Sequence, residues 1–133
     1  MRAFFVLGIA VAALGCSSTP GGDDAGSDAA APVNGCTTFE DDTAGTATIT
    51  GPAGAAPAQY APNCVHVKVG QTVTWNSDFT AHPLEASGGA SPSPIQPTTT
   101  GTTVSFTFTT AGTYGFHCSV HPATMQGAVE VTP

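Results

Sequence analysis

Residues 113–127 read TYGFHCSVHPATMQG, an alternating strand that leads directly into a cysteine, a histidine and a methionine. Side chains on a strand repeat every second residue, so Tyr114, Phe116 and Cys118 share one face. We expect the two aromatic side chains to point into the core, which makes Cys118 a buried group at the end of its strand. His117 faces the opposite way and is therefore predicted to be a bystander.

The same segment carries soft metal ligands at close spacing. Cys118, His121 and Met125 lie within eight residues, and a second histidine, His82, lies thirty-six residues upstream of Cys118. Two imidazoles, a thiolate and a weak axial thioether are the ligands of an electron-transfer copper site. Two alternatives remain: a structural zinc site, which usually adds a fourth strong ligand, and a metal-free fold in which these side chains only pack.

The chain beyond Cys36 alternates like half-buried strands separated by turns that contain Gly or Pro. No window supports a helix. This pattern predicts an all-β fold, an antiparallel β-sandwich over residues 36–133. The predicted strands are residues 46–50, 65–69, 72–76, 103–108, 113–118 and 128–132.

Composition and charge restrict the class of partner. Only 8% of the 133 residues are charged, the cations are Arg2 and Lys68 alone, and the formal net charge is −7. Phosphate binding needs clustered Lys and Arg, so the sequence argues against a nucleic-acid partner. The acidic balance favours a basic protein partner, with an attraction that salt weakens. The length fits one domain, which we expect to be a monomer.

The first fifteen residues are typical of an export signal. Arg2 precedes an apolar run over residues 3–14, which is too short to span a bilayer. The sequence Ala13-Leu14-Gly15-Cys16 resembles a bacterial lipobox, so we expect residues 1–15 to be removed and Cys16 to be lipidated. Ala13 stands where Leu is usual, and cleavage after residues 10–12, which gives a soluble product, is the alternative.

Residues 16–35 contain almost no large apolar side chain and predict a flexible linker. The exported domain would then be periplasmic or held at the outer membrane through a lipid anchor alone. Export also places the cysteines in an oxidising compartment. If Cys16 takes lipid and Cys118 takes metal, Cys36 and Cys64 are left to form a disulfide. Two disulfides, in one of three connectivities, are the alternative.

Residues 114–127 resemble the ligand loop of the cupredoxins, the small blue copper proteins, and in particular the plastocyanin, pseudoazurin and amicyanin group. The shared features are an aromatic strand into Cys, the spacing Cys-x₂-His, and a Met followed two residues later by Gly. Residues 62–75, PNCVHVKVGQTVTW, are also similar to the family. The resemblance implies a Greek-key sandwich that binds one type 1 copper ion. The ligands it implies are His82, Cys118, His121 and Met125.

The loop departs from its relatives in length. Three residues separate His121 from Met125, whereas amicyanin-like loops have two and plastocyanin-like loops have four. Gln126 stands at the four-residue spacing and can also be an axial ligand. The Met-x-Gly ending, completed by Gly127, favours Met125.

The resemblance implies a carrier of single electrons that exchanges them with redox partner proteins, and not an enzyme. His121 would expose its ring edge within an apolar patch formed by Pro83, Pro122 and Ala123. In relatives the amide after the first histidine donates to the thiolate, but Pro83 has no N–H, so we expect the amide of Val120 to be the single donor. A copper storage or delivery module without redox turnover is the alternative function.

Overall fold

The computed structural model describes residues 31–52 and 58–133 of the chain. The predicted signal peptide, the lipobox with Cys16, and the linker up to residue 30 lie outside the described residues. Within the described ranges, no helix is long and apolar enough to cross a membrane.

Strands make up nearly all of the regular structure, as the sequence predicts. They form a five-stranded sheet in the order β1-β3-β8-β7-β5 and a three-stranded sheet in the order β2-β4-β6. The all-β sandwich is therefore confirmed. The strands of the described residues are β1 Glu40–Asp41, β2 Ala47–Thr50, β3 Cys64–Lys68, β4 Thr72–Asn76, β5 Leu84–Gly89, β6 Thr103–Thr107, β7 Gly112–Cys118 and β8 Gln126–Thr132.

The pairing is mixed rather than antiparallel throughout. The β4–β6, β5–β7 and β7–β8 pairs are antiparallel, whereas β1–β3, β2–β4 and β3–β8 are parallel. Apart from β7 and β8, the paired strands are not consecutive in the chain. A tight hairpin therefore does not set their relative direction, and the purely antiparallel prediction is wrong for the three parallel pairs.

The core lies between the two sheets and follows the predicted strand parity. Trp75 is fully buried, and its ring meets Phe116 edge to face with the centroids 5.3 Å apart. Val65 and Val67 are also fully buried, but Val69, predicted on the same face, is 41% exposed. Strand β3 ends at Lys68, so the alternation does not continue to Val69.

The sequence did not predict β5. Its residues, LEASGG, show no alternation of buried and exposed positions. Gly88 and Gly89 have φ angles of 73° and 79°, in the left-handed region that favours glycine. The pairing with β7 shifts register between Ala86 and Gly89. Such a strand is specified by its partner rather than by its own periodicity.

The segment before β1 is attached to the five-stranded sheet at two points. Cys36 and Cys64 form the predicted disulfide, which links this segment to the start of β3. Two residues upstream, the amide group of Asn34 donates to three backbone carbonyls. Asn34 belongs to a 3-10 turn, Val33–Gly35, that the sequence analysis assigned to the linker.

Candidate metal centre

Two strand ends bring the predicted ligands together. Cys118 is the last residue of β7 and pairs in register with Leu84, the first residue of β5. His82 lies two residues before Leu84, so this pairing places the imidazole beside the thiol. His121 and Met125 lie in the connection from β7 to β8, which returns past the same end of the sheet.

Three donor atoms converge at this end of the sandwich. Nδ1 of His82 and Nδ1 of His121 are 3.3 Å apart, and Sγ of Cys118 lies 3.9 Å from the first and 3.7 Å from the second. A point equidistant from the three atoms lies about 2.1 Å from each, within the range of about 2.0–2.3 Å that nitrogen and thiolate bonds to zinc, a comparable first-row ion, show. The three side chains therefore fit a single metal ion of this size.

Backbone hydrogen bonds hold the loop that carries two of the donors. The N–H of Cys118 donates to the carbonyl of Met125 at 2.8 Å. In the other direction, the N–H groups of His121 and Met125 donate to the carbonyls of Cys118 and His121 at 3.1 and 2.9 Å. The loop is thus closed on itself without using the donor side chains, which stay free for a metal.

His82 is held by a turn that the sequence analysis did not single out. Its N–H donates to the carbonyl of Asp78 at 2.8 Å, and the Asp78 carboxylate accepts from the N–H of Thr80 at 3.0 Å. An Asp side chain that bonds the backbone two residues on is a common turn device. The Asp-x-Thr spacing was the available signal. Pro83 adds a further tie, because its carbonyl accepts the N–H of Ser119 at 3.0 Å.

Burial differs among the predicted ligands. Cys118 and Met125 are fully buried and His82 is 4% exposed, whereas His121 is half-buried. A metal held here would be shielded from water. The ring of His121 would be its connection to the protein surface. Gln126, the alternative axial residue, is the first residue of β8 and is half-buried.

Exposed apolar residues adjoin His121 in the chain. Pro122 and Ala123 are exposed, and Pro83 is half-buried. Val120 is 60% exposed, one of two large apolar side chains so exposed in the described part of the chain. The sequence analysis considered Val120 only as an amide donor; its side chain also belongs to this exposed apolar group.

His117 takes no part in the cluster of donor atoms. It is half-buried, and its Nε2 lies 3.8 Å from a carboxylate oxygen of Glu85, the residue opposite it on β5. Strand parity therefore separated this histidine from the donors correctly.

The interior beside the donors is apolar. Tyr60 packs edge to face against Phe116 with the ring centroids 5.2 Å apart. Burial raises the pKa of Tyr60, and the charge of Cys118 raises it further, so the phenol remains neutral.

The sequence matches a known family over most of its length. The family model described as copper binding proteins, plastocyanin/azurin family, matches residues 47–132. Amicyanin from Paracoccus denitrificans is 39% identical over an 82-residue alignment that covers 57% of this chain and 60% of amicyanin. The chain therefore spans about 60% of the length of that curated relative.

Solved structures show the same fold. A purple cupredoxin from Nitrosopumilus maritimus is 28% identical and covers 65% of this chain and 99% of its own, with a TM-score of 0.50. A point mutant of amicyanin with Cu(I) is 31% identical and covers 68% and 85%, with a TM-score of 0.50. The copper-containing nitrite reductase of Thermus scotoductus SA-01 is 22% identical over 22% of its length, a likeness of fold alone.

Proposed function

Because the chain belongs to the plastocyanin/azurin family of copper-binding proteins, we propose that it is a mononuclear type 1 copper protein that carries single electrons and catalyses no reaction of its own. The observation that carries the proposal is the triangle of Nδ1, Nδ1 and Sγ atoms with sides of 3.3, 3.7 and 3.9 Å. Two imidazoles and one thiolate in such a plane are the donor set of an electron-transfer site.

Each residue then has a distinct role. Cys118 binds as the thiolate, and His82 and His121 bind through Nδ1 as neutral imidazoles. Met125 supplies the axial thioether. Val120 remains the expected amide donor to the thiolate, although in the described residues the hydrogen-bonding neighbours of the Cys118 sulfur are the two histidine rings and not this amide. Copper bound there supplies a one-electron Cu(II)/Cu(I) couple. The backbone bonds that close the loop keep the donors in one arrangement, which limits reorganisation during transfer.

Electrons would enter and leave through His121. Its ring is the most exposed of the three donor groups, and the exposed apolar residues Val120, Pro122 and Ala123 adjoin it in the chain. A small apolar contact suits brief docking of a redox partner, because transient complexes bury little surface. The proposal also includes export to the periplasm and an anchor at Cys16, both supported by the amino-terminal sequence.

Copper loading of the purified protein tests the proposal. We expect intense blue or green absorption with Cu(II) and a reversible one-electron wave in voltammetry. Cys118→Ser should abolish the colour, because the absorption needs the copper–thiolate bond. His121→Ala should weaken copper binding by more than the roughly 10–100-fold that loss of an outer-shell partner costs, whereas the control His117→Ala should keep both colour and affinity.

The outcomes separate the candidate functions. A colourless protein after copper loading would contradict the type 1 assignment. A coloured protein without a reversible wave would support the copper storage or delivery module instead of the carrier.

A further inference from the structure

We propose that Gly51 is a positioning residue for Met125: the space left by its missing side chain receives the thioether methyl group and so fixes where the axial sulfur lies. This inference rests on the proposed function, because it assigns a role to Met125 as the axial ligand. Gly51 lies far from the ligand loop in sequence, directly after strand β2.

The evidence is the space around the Gly51 Cα atom. A Cβ atom there would lie 3.1 Å from Cε of Met125 and 2.7 Å from Cβ of Ser77, and it would overlap the Ser77 Oγ. Separations under 3.0 Å require something to move, and 3.1 Å is tighter than ordinary van der Waals contact. The φ angle of Gly51 is not in the left-handed region, so the backbone would accept alanine. The glycine is therefore required by its neighbours rather than by its own conformation.

The backbone on both sides of this contact is fixed. The N–H of Gly51 donates to the carbonyl of Asn76 at 2.7 Å, and Thr50 exchanges two hydrogen bonds with Ala61 at 2.9 and 2.8 Å. On the other side, the backbone of Met125 bonds to Cys118 and His121 in the ligand loop. An added Cβ atom would therefore displace Ser77 first, because the Ser77 Cβ and Oγ atoms lie closer than 3.0 Å to it, and would press next on the end of the Met125 side chain, which has three rotatable bonds.

Ser77 is the second residue that borders the Gly51 Cβ position. Its Oγ is buried and has no hydrogen-bond partner in the described part of the chain. A buried hydroxyl without a partner is uncommon in folded proteins. The Ser77 hydroxyl and the Met125 methyl group thus both adjoin the Gly51 Cβ position.

The consequence concerns the axial interaction. The identity and placement of the axial ligand tune the reduction potential of such a site. Gly51→Ala adds one methyl group against both Ser77 and the end of Met125. The pressure on Met125 should displace its sulfur, which changes the axial bond while the other three donors remain in place.

Gly51→Ala and the matched control Gly45→Ala test this in the full chain. Gly45 has no heavy atom within 4 Å of its Cβ position and no positive φ. The chain has two methionines, so labelling of the methionine methyl groups with ¹³C gives two signals, one of them from Met1. In the metal-free protein we expect Gly51→Ala to shift the Met125 methyl signal and Gly45→Ala to leave it unchanged.

The copper-loaded proteins provide the second readout. We expect Gly51→Ala to change the ratio of the two thiolate-to-copper absorption bands and the midpoint potential, with no such change in Gly45→Ala. In a Met125→Leu background, which has no thioether, Gly51→Ala should leave the band ratio unchanged. A purely structural role of Gly51 would lower stability equally in both backgrounds without this difference.

The outcomes distinguish this inference from the proposed function. A wild-type protein that stays colourless contradicts the function, whereas a coloured wild type with an unshifted Gly51→Ala methyl signal and spectrum overturns the inference alone. If Gly51→Ala does not fold, the double variant Gly51→Ala with Ser77→Gly removes the two closest contacts and retains the one to Met125. The Met125 methyl signal and the spectrum of the copper-loaded double variant then test the inference in the same way.

Discussion

Single residues of the site differ in how far the sequence alone could place them. Cys118 could be placed from strand parity, because its neighbours Tyr114 and Phe116 had to face the core, and all three are buried. Gly51 and Asp78 could not, because their roles depend on contacts with Met125 and His82 that only the folded chain creates. Gly51 has no side chain that would draw attention to it, and the Asp78 carboxylate bonds the backbone of its own turn.

The axial position gives the prediction at this scale. Met125→Gln should keep the colour and lower the reduction potential, because an amide oxygen is a harder ligand that favours Cu(II) over Cu(I). Voltammetry and the visible spectrum of the copper-loaded protein measure both effects. Gln126→Ala is the control and should leave the potential unchanged. A shift in Gln126→Ala with none in Met125→Gln would assign the axial position to Gln126 instead.

At the scale of elements, strands with alternating apolar residues could be predicted and β5 could not. Strand β4 shows the alternation in both sequence and burial, with Val73 and Trp75 inward. Strand β5 ends in two glycines and takes its shape from β7, including the register shift after Ala86. This pairing nevertheless brings His82 to Cys118, so the site depends on the element that the sequence specified least.

The turn at Asn34 also acts on these strands. Its side-chain amide donates to the carbonyls of Ser87, Phe116 and Gly127, which belong to β5, β7 and β8, at 3.2, 3.1 and 2.9 Å. Gly115 makes room for this contact, because a Cβ atom on it would lie 2.8 Å from Nδ2 of Asn34. Asn34 thus connects the three strands that converge on the site.

Asn34→Ala should therefore destabilise the domain by about 1–3 kcal/mol, because partly buried carbonyls lose a shared donor. Urea denaturation of the metal-free protein measures the change. Asn63→Ala is the matched control: Asn63 is exposed, and exposed substitutions usually change stability by less than about 0.5 kcal/mol. Equal effects of the two substitutions would contradict the role given to Asn34.

At the scale of the whole molecule, composition indicated the fold class and strand periodicity indicated the layers. Composition and periodicity could not predict the directions of strand pairing, because paired strands such as β2 and β4 are separated in the chain by a strand of the opposite sheet. No turn signal in the sequence encodes the direction of such a pair. The net charge, in contrast, is a property of the sequence and leads to a prediction about partners.

The formal net charge of −7 should steer positively charged redox reagents toward the protein and repel negatively charged ones. We expect the reduced, copper-loaded protein to be oxidised by a cationic cobalt(III) complex at a rate that falls with added salt. The oxidation rate with an anionic iron(III) cyanide complex should rise with added salt. Salt screens the repulsion between the two negative charges, and the screening length is only about 10 Å at 0.1 M salt. Stopped-flow measurement of both rates against ionic strength checks the two signs.

Two matched variants locate the charge that matters. Glu85 lies opposite His117, beside the donor end of β7, whereas Glu130 lies four residues along β8 from Gln126, about 13 Å farther from that end. Glu85→Gln should therefore reduce the salt dependence with the cationic complex more than Glu130→Gln, although both remove one negative charge. Equal slopes for the two variants would show that net charge alone steers the encounter, and that electrons do not leave preferentially at the end of the sandwich where His121 is exposed.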